Sequence, residues 1–87
     1  MVKRRFKLTE EGGLHLRNAA LLVKSAEQYK SKITVCNGCT CADSCSILQL
    51  LSLGAGKDSV IEVTAEGPDA EKAIRRVSEL FSDGAGI

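Results

Sequence analysis

The 87-residue chain has no tryptophan and only three aromatic side chains, Phe6, Tyr29 and Phe81, so any core it forms must be aliphatic. No apolar run approaches the roughly 18 residues that a membrane span needs. The opening Met1-Val2-Lys3-Arg4-Arg5-Phe6 enters an alternating pattern directly, without the apolar stretch of a leader, and a cytoplasmic protein with no membrane partner is expected. Charge of one sign is also scarce in excess: 12 basic against 11 acidic residues leave a net +1, which argues against nucleic acid as a partner. The length itself excludes a large enclosed active site. A single domain over 1–87 with one small core is expected, its last residues 84–87 forming a loose tail.

What the chain does have is regular patterning. Val2, Phe6 and Leu8 share one face of a strand, with Lys3, Arg5 and Lys7 on the other. After a loop at 10–13 the period changes: Leu16, Ala19, Ala20, Val23 and Ala26 mark an amphipathic helix running from His15 to about Tyr29. Ile33 and Val35 begin a second strand, Asn37-Gly38 supplies a two-residue hairpin turn, and a third strand returns from Cys39 to about Asp43. Ser46-Ile47-Leu48-Gln49 has the spacing of a capping box and predicts a short helix over 47–53 that stops at Gly54. Ile61, Val63 and Ala65 alternate as a last strand. Gly67-Pro68-Asp69 then breaks the chain before a helix whose buried stripe is Ala70, Ala73, Ile74, Val77, Leu80 and Phe81. The order β-α-β-β-α-β-α predicts an α+β domain, a four-stranded antiparallel sheet with one face covered by three helices and the other wet.

Two clusters of residues invite chemistry. The first is Gly12-Gly13-Leu14-His15-Leu16-Arg17-Asn18, which sets the only histidine at the mouth of a helix. A helix N-terminus offers unpaired N–H groups and about half a positive charge, so the backbone of Leu16, Arg17 and Asn18 is suited to holding phosphate. The Arg17 guanidinium adds a fork of donors matched to phosphate oxygens. Imidazole is a competent nucleophile near neutral pH, because one ring nitrogen keeps a lone pair. A histidine that merely caps the helix is the plainer reading of the same residues.

The second cluster is Cys36, Cys39, Cys41 and Cys45. Reduced thiols are expected in the absence of a secretion signal, with a disulfide such as Cys36 to Cys39, or a metal or redox sensor, as alternatives. With Val35 and Ala42 inward, Cys36, Cys39 and Cys41 fall on the open face of the sheet. One hairpin face is a poor cage for zinc or an iron–sulfur cluster, so no metal site is assigned.

Gly13-Leu14-His15-Leu16-Arg17-x-Ala19-Ala20 resembles the phosphorylation-site signature of the HPr family, small carriers of the bacterial phosphoenolpyruvate-dependent phosphotransferase system. Ser46-Ile47-Leu48 with Ser52-Leu53-Gly54, and Ala65 to Ala73, resemble further passages of that family in register. The resemblance implies an open-faced β-sandwich without a cofactor. It implies that His15 takes phosphate on Nδ1 from enzyme I and passes it to an enzyme IIA domain, with Arg17 as the active-site arginine. It further implies docking through Leu16, Ile47, Leu48 and Leu51, and a serine, here Ser46, that a dedicated kinase phosphorylates in some relatives, with a transcriptional regulator as a further partner. Where the family reads Ala-Arg-Pro this chain has Leu16-Arg17-Asn18. Asn18 is expected to restore a backbone donor that phosphate can use, at the cost of proline's preorganisation. The same substitution keeps open a regulatory member of the family, of the nitrogen-related or catabolite-control kind, with the cysteines as a sensor.

Overall fold

The structure, a computed structural model, describes residues 1–9 and 11–82; the expected tail at 84–87 lies outside these. Seven elements follow in the expected order: β1 (Val2–Lys7), α1 (Leu16–Ala26), β2 (Lys32–Asn37), β3 (Thr40–Asp43), α2 (Ile47–Leu51), β4 (Val60–Glu66) and α3 (Ala70–Ser82). The four strands form one sheet in the order β1-β4-β2-β3, with every neighbouring pair antiparallel. Because side chains alternate across a strand, the register assigns each face. Ile33, Val35, Ala42, Ile61, Val63 and Ala65 point inward and are buried, while Lys3, Arg5, Glu62, Cys36 and Cys41 occupy the wet face.

The helices close the core from one side. Leu22 of α1, Leu50 of α2 and Ala73, Ile74 and Val77 of α3 meet the inward strand residues in one aliphatic cluster. Phe6 and Phe81 stack with ring centroids 4.4 Å apart, joining β1 to the end of α3. Asp69 fastens the start of α3 to the entry of β2: its carboxylate accepts the Lys30 and Ser31 backbone N–H groups, each at 2.9 Å, and the Ser31 hydroxyl.

Three boundaries differ from the sequence reading, each for a local reason. α1 ends at Ala26, and the chain tightens into i to i+3 bonds, Gln28 N–H to Ser25 and Tyr29 N–H to Ala26. The apolar period continues because Tyr29 still packs on the core. α2 is shorter than 47–53, and Leu53 is buried from the turn that follows it. The hairpin turn is Gly38-Cys39: Asn37 faces Thr40, and Gly38 (φ 65°) takes the positive φ while Asn37 does not. A two-residue turn with its left-handed residue first suits glycine there.

Candidate functional site

β1 ends at Lys7 and Leu8 is locked by two backbone bonds, its N–H to Ser59 and its carbonyl to Asp58 N–H. The loop that follows must approach the chain leaving α2. Gly13 (φ 63°) lies so close to it that a Cβ would stand 2.3 Å from the Ala55 carbonyl oxygen and 2.5 Å from Gly56 Cα. Only glycine fits there. The next residue, Leu14, donates its N–H to that Ala55 carbonyl at 2.8 Å and is itself buried.

This anchor delivers His15 to the N-cap of α1 in an extended conformation (φ −118°, ψ −179°), half-buried. Helical pairing begins with Ala19 N–H to the His15 carbonyl at 2.9 Å, so the amides of Leu16, Arg17 and Asn18 precede the first i to i−4 bond. No acidic residue stands in this first turn to compete for an anion. Arg17 is exposed at the second helical position.

Asn18 corrects the expectation of a loosened site. Its side chain is fully buried: Oδ1 accepts the His15 backbone N–H at 2.7 Å, and Nδ2 donates to the Gly13 carbonyl at 2.8 Å. Its own N–H faces the His15 ring, the reciprocal half of a capping box, and does not simply open to solvent. Preorganisation that proline supplies through φ is supplied here by an amide side chain. The His15-x-x-Asn18 spacing is that of a capping box, but neither residue is of the type that marks one in a sequence, which is why the pattern pointed only to Ser46 and Gln49.

At α2 that second capping box forms by half. Ser46 Oγ accepts from Gln49 N–H at 3.3 Å, but the Gln49 side-chain oxygen accepts Asp43 N–H at 2.9 Å, and Ser46 N–H goes to the Asp43 carbonyl. Ser46 is half-buried at the helix start. α1 and α2 pack on each other. Of the apolar residues expected to dock partners, Leu16 and Leu48 are 64% and 80% exposed, and Ile47 and Leu51 are half-buried. Leu50 and Leu53 are core. Two large aliphatic side chains, one directly following the histidine in the chain, thus stand exposed on helices that pack on each other.

The cysteines are arranged differently from the expected free thiols. Cys36 and Cys41 face each other across β2 and β3 and are joined by a disulfide; Cys39, in the turn, and Cys45 are free and exposed. Moving the turn to Gly38-Cys39 exchanged the partner of Cys36 from Cys39 to Cys41. Among the described residues no group of three or more histidine, cysteine, aspartate or glutamate side chains is placed to hold a metal ion. Desolvation, then the carboxylates of Asp43 and Glu27, push the Cys45 thiol above its ordinary value.

A family model described as the PTS HPr component phosphorylation site matches residues 2–83. The chain belongs to the HPr family. The phosphocarrier protein HPr of Vibrio cholerae serotype O1 is 36% identical to it over 81 residues, covering 93% of this chain and 95% of the relative. Among solved structures, HPr of Thermoanaerobacter tengcongensis superposes with a TM-score of 0.90 at 32% identity, covering 95% of this chain and 93% of the other. A histidine-containing phosphocarrier protein of Mycoplasma gives 0.92 at 29% identity, covering 99% and 98%. These HPr relatives share the four-stranded antiparallel sheet with three helices on one face, and their names favour a carrier over a purely regulatory HPr. No helix among the described residues is long and apolar enough to cross a membrane.

Proposed function

We propose that this HPr-family phosphocarrier holds its phosphoryl group on the imidazole of His15. The observation that carries the reading is the position of that ring, half-buried at the N-terminal mouth of α1 with the first-turn amides beside it. A ring nitrogen lone pair attacks phosphorus, and the bond from phosphorus to the donor breaks with its electron pair staying on the donor. The charge that arrives on the phosphoryl oxygens meets the positive pole of the helix and the guanidinium of Arg17. The return step reverses the same geometry toward the acceptor. No cofactor takes part within the domain; phosphoenolpyruvate and magnesium belong to the donor.

The partners on this reading are enzyme I as donor and enzyme IIA domains as acceptors, met in the cytoplasm. They approach over Leu16, Ile47, Leu48 and Leu51, where apolar area stands exposed on α2 and on the helix that the histidine opens. Ser46 is the candidate for a kinase and for control through a transcriptional regulator: a phosphate on its hydroxyl would add up to about two negative charges at the start of α2, beside that surface.

The decisive experiment is incubation with enzyme I, phosphoenolpyruvate and magnesium. An acid-labile, alkali-stable label that appears on the wild-type chain and vanishes in His15→Ala supports the assignment. A label that persists in that variant places the acceptor elsewhere.

A further inference from the structure

We infer that Asn18 is a positioning residue for the phosphoryl acceptor: its backbone N–H holds the Nδ1 edge of the His15 ring as a lone-pair acceptor, and its buried amide fixes the backbone beneath. The inference rests on the reading of His15 given above and names a residue that the family's proline could not replace in kind.

The ring's orientation follows from Gly12. A Cβ on Gly12 would stand 3.0 Å from His15 Cδ2 and 3.7 Å from Cγ, so the Cδ2 edge is turned toward Gly12. Cδ2 and Nδ1 flank Cγ on opposite sides of an imidazole, and the Nδ1 edge is therefore turned the other way, over the helix. There it faces the N–H of Asn18, in the reciprocal arrangement of a capping box and without a closed hydrogen bond. An N–H can only donate, so the nitrogen facing it keeps its lone pair and the ring's proton resides on Nε2. Proline at this position has no N–H to give.

The side chain completes the device. Asn18 Oδ1 accepts the His15 N–H and Nδ2 donates to the Gly13 carbonyl, in a fully buried setting where either group left alone would be costly. Both residues flanking Leu14 are thus tied to one amide, and Leu14 is tied to Ala55. The backbone that carries the ring cannot shift without breaking this network. When Nδ1 attacks phosphorus its lone pair becomes the new N–P bond, the donor's bond electrons stay on the donor, and the proton remains on Nε2. The Asn18 N–H, released from the ring nitrogen, then faces the incoming phosphoryl oxygens.

Two variants separate the backbone from the side chain. Asn18→Ala keeps the N–H and removes the amide clamp; Asn18→Pro removes both, and costs no helical bond because pairing starts at Ala19. Nitrogen-15 chemical shifts of the neutral His15 ring report the tautomer in the unphosphorylated protein, so this test stands whether or not His15 carries phosphate. The expected result is Nε2–H in the wild type and in Asn18→Ala, with a mixture in Asn18→Pro. In the enzyme I assay, Asn18→Ala transfers phosphate about tenfold more slowly, the loss expected when a positioned nucleophile gains freedom. Nδ1–H in the wild type, or identical tautomer shifts in wild type and Asn18→Pro, would overturn the inference.

Discussion

Gly13 lies against Ala55 with no room for a side chain between them, at a positive φ that side-chain-bearing residues rarely adopt. The loop that presents His15 is thereby braced on the chain leaving α2, two segments some forty residues apart in sequence.

Gly13→Ala is expected to be among the most damaging small substitutions in the chain. The backbone conformation alone costs about 1–2 kcal/mol, and the clash with backbone atoms of 55–56 adds to it. Thermal unfolding should show Tm lowered by about 10 °C or more, since about 1 kcal/mol moves a domain of this size by roughly 4–8 °C. A Tm equal to that of the wild type would mean the brace is not present in solution.

Leu48 and Leu50 are neighbours on α2 with opposite fates, one 80% exposed and the other fully buried. Leu50→Ala should destabilise by about 2–5 kcal/mol through the cavity it leaves. Leu48→Ala should stay within about 0.5 kcal/mol of the wild type, yet raise the KM for transfer from enzyme I. Urea titrations and transfer kinetics on the two variants test both halves.

The bridge between Cys36 and Cys41 closes a short loop across strands that are already paired. A chain-entropy estimate gives it about 2 kcal/mol at most, so Cys36→Ser/Cys41→Ser should fold with a modestly lowered Tm. Thiol titration of the denatured oxidised protein should count two reactive groups, Cys39 and Cys45, rising to four after reduction. In the folded protein Cys45 should alkylate more slowly than an unstructured peptide thiol, because desolvation and the nearby carboxylates of Asp43 and Glu27 disfavour its thiolate.

The Asp69 carboxylate is held below its ordinary value of 3.8, first by the Ser31 hydroxyl and then by the Lys30 N–H. A depressed folded-state value means that its contribution is complete above the unfolded value and fades as pH falls through the folded one. Acid should therefore loosen the junction of β2 and α3 only below the ordinary carboxylate range. Stability measured against pH should show a shallower acid limb in Asp69→Asn, with the variant weaker than the wild type at neutral pH.

The alternation of Ile61, Val63 and Ala65 and the stripe from Ala70 to Leu80 were legible because burial on one face imposes a period that no other constraint disturbs. The hairpin was legible only in kind. Asn37-Gly38 is a strong turn signal, yet Asn37 Nδ2 donates to the Leu53 carbonyl at 3.0 Å, holding Asn37 in the strand and pushing the turn onward by one. That shift decided which cysteines meet. In the same way, His15 at the helix mouth could be read from local pattern, whereas the burial of Asn18 depends on how the 13–18 loop folds back on itself. Local propensity fixes what a segment can be; contacts between distant segments choose its register.

The brace between the 13–14 loop and residues 55–56 has a consequence for how the carrier meets its clients. A pedestal supported from behind does not retreat when another protein presses on it. Any adjustment needed to fit one partner or another then falls to the partner's surface and to the exposed side chains around the loop, and not to the braced backbone beneath the ring.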